Sequence, residues 1–249
     1  MPTGGGTTPM GGGGSGYTTF NPCNQLKTLL NRTISNLGLP NNKVSDLINS
    51  LNLHLPANNP QNDGTKELSL NAFEINNGND LEVNAYESNF SEHLEATVTL
   101  INNKKYVFLG HNHPGGLSIF SLADLKSVKE MIEHGSIDEN TTFFMNSYQG
   151  TQYAFTIADV AVFKVWLDQF FLGWDDPLLQ PGMMNPYIRA REDKYALDVS
   201  EEFTKEKNEK GFLKFMNENS LMVNVFSKEN NQWNRLTLGY NNEVKKTPC

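Results

Sequence analysis

Residues 106–134 read YVFLGHNHPGGLSIFSLADLKSVKEMIEH, and the apolar pattern changes period inside this one stretch. Tyr106–Leu109 is an apolar, largely aromatic run that predicts a strand, and Gly110-His-Asn-His-Pro-Gly-Gly predicts a loop. From Leu122 to His134 the spacing is helical, with Ser121 at the N-cap position and Gly135 as the stop. His111 and His113 thus stand at the end of a strand, where alternation turns both imidazoles to one side. Asp124, in the first turn of the helix, adds a carboxylate. Three N/O donors from two rigid elements suit a zinc ion that keeps its fourth position for water, as catalytic rather than structural sites do. Each piece alone is common: an HxH pair is often merely solvated, and Ser121 with Asp124 is an ordinary capping box. The joint spacing carries the weight, and a capping carboxylate can also serve a metal.

Upstream, the period-two runs Glu67–Ile75, Leu81–Tyr86 and Leu94–Ile101 predict strands, with Asn76-Asn77-Gly78 and Asn102-Asn103 as turns. Downstream, Thr142–Met145 and Gln152–Ile157 predict two more, followed by a helix over Ala158–Phe171. Ahead of the strands, helices are expected over Cys23–Leu37 and Val44–Leu51, with a loop over 54–64. Residues 173–190 read as a connecting loop, and Glu192–Met216 as a charged helix. Leu221–Phe226 and Trp233–Leu238 read as a terminal hairpin turning at Glu229–Asn231. Helices flanking mainly antiparallel strands make an α+β, or mixed α/β, domain. The expected division is a flexible tether over 1–18, a domain over 19–172 and an extension over 173–249.

The tether, MPTGGGTTPMGGGGSGYT, has no apolar periodicity and nothing to bury against its ordering entropy. It lacks the basic start and apolar middle of a signal peptide and reads as an arm on something larger, or as a loose N-terminus. The remaining chain, within 249 residues of which 38% are hydrophobic, has enough apolar surface for a core. No apolar run approaches the roughly 18 residues of a membrane span. A formal charge of −8 and the absence of a dense basic stripe argue against nucleic acid as the main partner. Cys23 and Cys249 bracket the chain without any CxxC, so a thiolate zinc site is not expected. They read as a terminal clasp formed in an oxidising compartment or as two unrelated thiols, the clasp preferred.

The segments HNHP and SLAD, at this separation, resemble the signature of the JAMM (MPN-plus) zinc metalloproteases. The likeness covers about fourteen residues, and the HxH…LSIFSxAD segment bears a weaker resemblance to C-terminal modules of large Bacteroidetes-type proteins. The resemblance implies a cytidine-deaminase-type sheet flanked by helices, with zinc held by His111, His113 and Asp124. It also implies that Ser121 supports the transition state and that an upstream glutamate is the general base. The implied reaction is hydrolysis of a peptide or isopeptide bond in a protein or peptide substrate, the upstream polypeptide being one option. Two positions depart from the family pattern: Asn112 replaces the usual small hydroxyl residue, and Lys66-Glu67-Leu68-Ser69 lacks the glycine-rich follow-on.

The base must approach from a neighbouring strand, which leaves Glu67, Glu74, Glu82, Glu87, Glu92 and Glu95. Glu67 opens a strand, where a carboxylate can face the metal, and is preferred; Glu74, on the opposite face, comes second. The rival reading is an inactive metal-binding interaction module of a larger secreted or phage- or toxin-like bacterial protein. A DNA-repair-associated branch with the same motif is disfavoured by the acidic balance. His54, His93 and His134 read as structural or solvated, and the aromatic residues between Phe155 and Phe171 as core.

Overall fold

The period-two segments assemble into one sheet. The computed structural model describes residues 21–35, 43–55, 67–75, 80–87, 100–174, 186–219 and 221–249. The strands are β1 (Leu68–Ile75), β2 (Asp80–Glu87), β3 (Tyr106–His113), β4 (Thr142–Ser147), β5 (Gln152–Ile157), β6 (Val223–Glu229), β7 (Gln232–Leu238) and β8 (Val244–Pro248). Their order across the sheet is β2-β1-β3-β4-β5-β6-β7-β8. Only β3 and β4 run parallel, because helix α3 (Leu122–Glu133) carries the chain back between them; the other pairs are antiparallel. The fold is α+β, as the sequence pattern predicts.

Alternation sends side chains to two faces, and both are covered. Leu109, Phe143, Phe155 and Val225 lie on one face beneath α3, α4 (Val160–Phe170), α5 (Pro186–Asp198) and α6 (Lys205–Glu218). Phe108, Phe144, Ala154 and Phe226 lie on the other, packed with Leu26 and Leu29 of α1 (Pro22–Leu30) and Ile48 of α2 (Val44–Ser50). Double coverage explains why β4 and β5 are buried at every position. Cys23 of α1 and Cys249 form a disulfide, the preferred of the two sequence readings, with Cα atoms 5.2 Å apart at a sequence separation of 226.

Several elements differ from expectation for tertiary reasons. The first helix stops at Leu30, not Leu37: Asn31 caps it, and Ile34 instead bridges to Leu81, with the Ser35 N–H donating to the Leu81 carbonyl at 2.9 Å. The second ends at Ser50 and tightens into a 3-10 turn, Leu51–His54. The strand expected over Leu94–Ile101 lies outside the described residues except at Leu100 and Ile101, which are not in a strand. The single helix expected over Glu192–Met216 is two, α5 and α6, and α5 starts at Pro186, inside the stretch expected to be loop. Folding back brings Tyr195 and Phe215 into one core, with ring centroids 4.9 Å apart. Gly211 permits the reversal, since a Cβ there would lie 1.8 Å from the Asp198 carbonyl oxygen.

The C-terminal hairpin forms, turning through Asn230 and Asn231 with φ of 49° and 61°, and β6 pairs with β5 so that it continues the sheet. The charged edge strand β8 follows it. β3 itself runs on through His113, because β4 offers a parallel partner as far as Ser147.

Candidate metal centre

His111 and His113 occupy alternate positions at the end of β3, on the face covered by α3. Their Nε2 atoms are 3.0 Å apart. The Asp124 carboxylate reaches both, with Oδ1 3.0 Å from His111 Nε2 and Oδ2 3.5 Å from His113 Nε2. These three residues form a group able to hold a metal ion. Donors at about 2.0–2.1 Å from a tetrahedral ion stand about 3.3 Å from one another, so the observed spacings fit an ion between them.

The chain beyond β3 fixes this geometry. Gly116, at φ +74°, turns it, and a Cβ there would meet the Glu201 carboxylate at 2.8 Å. The turn brings the Leu117 carbonyl 3.1 Å from His113 Nδ1. An N–H donated from Nδ1 leaves the Nε2 lone pair for a metal, the orientation that ligating histidines receive from their outer partners. Ser121 and Asp124 form the reciprocal capping box: Ser121 Oγ accepts from the Asp124 N–H at 3.1 Å, and Asp124 Oδ2 accepts from the Ser121 N–H at 2.6 Å. The cap and the metal-facing pose coexist, because the cap sets the carboxylate plane while Oδ1 faces His111.

Without a metal the group behaves as an ion pair. Burial opposes a charge on His111, but the charge and hydrogen bond of Asp124, and then the charge of Glu67, outweigh it and lift its pKa to about 9. Burial likewise pushes Asp124 up, and the two histidines hold it well below the usual carboxylate range.

Glu67 immediately precedes β1 and is 9% exposed. Ser69 pairs opposite His111, so Glu67, two residues earlier, lies on the sheet face of both histidines. Ser69 Oγ lies 3.4 Å from Glu67 Oε1. Glu67, His111 and Asp124 line one cleft of about 270 Å³. Asn112, between the two histidines, faces the other side, where its Oδ1 accepts the Leu68 N–H at 2.6 Å. Its longer side chain thereby pins the start of β1 beside Glu67.

The other glutamates are elsewhere. Glu74 is ion-paired with Arg32 at 2.6 Å, and Glu82 pairs opposite Phe73, four residues along β1 from Ser69. The Glu87 side chain, Glu92 and Glu95 lie outside what the structure describes, as do the His54 side chain and His93. His134 is structural, its ring nitrogens facing Ser136 Oγ at 2.5 Å and Asn102 Oδ1 at 3.1 Å.

Sequence reading missed the part played by the C-terminal helices. Tyr195 of α5 donates its hydroxyl to the Phe120 carbonyl at 2.6 Å, and Asn208 of α6 donates to Ser118 Oγ at 2.9 Å. Burial, followed by the charge of Asp124, raises the Tyr195 pKa well above its ordinary value, so the phenol stays protonated and donates. Both helices thus grip the loop that carries Leu117 and Ser121. The only signal in the sequence was a tyrosine and an asparagine in a highly charged stretch, which reads as surface helix.

No protein-family model matches the chain, and no curated protein matches it. Among the described residues, no helix is long and apolar enough to cross a membrane.

Proposed function

We propose that the protein is a JAMM-like zinc metallopeptidase that hydrolyses a peptide or isopeptide bond. The observation that carries this reading is the convergence of His111 Nε2, His113 Nε2 and the Asp124 carboxylate at 3.0–3.5 Å from one another. Two imidazoles and a carboxylate are donors that zinc takes in catalytic sites, and these three would hold it here. Bound there, zinc supplies Lewis acidity, acidifying water toward neutral pH and polarising a carbonyl.

The protein's own groups do the rest. Glu67, buried on the face of the histidines, accepts the proton of the attacking water and passes it to the leaving amine. Ser121 Oγ, held as acceptor by the Asp124 N–H, keeps its hydroxyl hydrogen to donate to the carbonyl oxygen as negative charge develops. His113, through Leu117, and Asp124, through the cap, are oriented before substrate arrives. The disulfide supports a setting in which thiols oxidise, outside the cytoplasm or on an exported assembly.

The test combines metal analysis with peptide mapping. The parent protein is expected to hold one zinc and to produce new N-termini in an unstructured polypeptide or within its own residues 1–18. Glu67→Gln should keep the zinc and lose cleavage, and His113→Ala should lose both. Zinc bound without any cleavage makes this a metal-binding interaction module, and no zinc in the parent removes the metal centre altogether.

A further inference from the structure

The cleft at the candidate centre changes character along its length. His111, near the C-terminal end of β3, and Asp124, in the first turn of α3, border it together with Glu67. From there β3 leads back to Leu109, and α3 leads from Asp124 to Met131, about 10 Å along the helix. The walls in that direction are Leu100, Leu109, Val128, Met131, Phe143 and Phe155. Their aromatic members are braced by neighbours: Phe143 stacks on Phe155 at 4.6 Å, and Phe155 meets Phe120 edge-on at 4.8 Å. Such a wall does not collapse into the space beside it. Glu67, Asp124 and Glu130 all border the cleft, and no Lys or Arg does among the described residues.

We infer that the cleft is a side-chain subsite that takes one bulky, uncharged apolar residue of a polypeptide, next to the bond held at the metal centre. The inference rests on the peptidase reading above and adds the substrate class. Burying a Leu, Met or Phe side chain gains about 10- to 100-fold in affinity over glycine. An acidic side chain gains nothing, because it would lose its hydration against apolar walls where, among the described residues, no Lys or Arg borders the cleft to pair with it.

Calorimetric titration of the zinc-loaded full chain with glycine, L-phenylalanine and L-aspartate hydroxamates tests this. The phenylalanine compound should bind about 10- to 100-fold tighter than the glycine one, and the aspartate compound no tighter than glycine. Ser127, exposed on α3 and bordering the cleft, offers a site for filling it. In Ser127→Phe the phenylalanine-to-glycine ratio should fall toward one, with zinc content and circular dichroism reporting on the fold. Equal affinities in the parent overturn the subsite while leaving the metal site standing. A phenylalanine preference in a protein that cleaves nothing upholds the subsite and overturns the peptidase reading. Absence of binding by all three overturns both.

Discussion

Zinc binding should depend steeply on pH, with a sign set by His111. In the metal-free protein its pKa is about 9, because Asp124 holds the proton on a ring whose lone pair the metal needs. At pH 7 only a small minority of molecules has His111 free, which costs on the order of a few kcal/mol of apparent affinity. Affinity should therefore rise about tenfold per pH unit between pH 6.5 and 8.5, then level off above pH 9. One proton should leave per zinc bound below pH 8. Titration against a competing chelator, in two buffers of different ionisation heat, reads both quantities. Stability of the metal-free protein should run the other way. The folded pKa of His111 lies above the ordinary 6.5 and that of Asp124 below the usual carboxylate range. The pair's contribution is therefore full from the ordinary carboxylate range up to about pH 6.5, is lost as pH rises through 9, and is lost again in acid as Asp124 takes a proton. Its size is on the order of a few kcal/mol, counted once for the pair with Asp124. Affinity that is flat from pH 6.5 to 8.5, with no proton release, would refute the argument that Asp124 and the metal compete for the same ring.

Other outcomes follow from the scaffold. Replacing Cys23 and Cys249 by serine opens a loop spanning 226 positions and should lower stability by about 5 kcal/mol. In thermal unfolding that corresponds to about 10 °C, and the urea m value should rise because the unfolded chain is freed; an unchanged m would place the effect in the folded state. Tyr195→Phe strips the Phe120 carbonyl of a buried donor and should cost about 1–3 kcal/mol in urea unfolding while leaving the proposed zinc content unchanged, since the three proposed ligands lie on β3 and α3. Gly211→Ala forces Asp198 off α6 and should destabilise by about 1–3 kcal/mol or more; a neutral result would mean that α5 and α6 pack differently from the structure described.

The departure at Asn112 shows how a motif and its setting can answer different questions. Between the two histidines it points away from the centre, so its identity is free of ligand chemistry and answers instead to the Leu68 N–H on the next strand. It thereby acts on the neighbour of the proposed base rather than on the ions and protons at the site.

Local spacing was enough for the donor triad, since HxH on a strand and a capping Asp on the next helix are constrained within a few residues of chain. It was also enough for the α+β class, for the strand at Gln152–Ile157 to the residue, and for the hairpin turn. Where a segment ends depends on what lies across from it. Ile34 has helical spacing but pairs with Leu81, and β3 continues through His113 because β4 lies alongside. The partnership of Glu67 with His111, the grip of Tyr195 and Asn208 on the Ser118–Ser121 loop, and the closure of Cys23 on Cys249 all join positions dozens to hundreds of residues apart. Sequence periodicity records which face of its own element a side chain occupies, and only packing decides what meets that face.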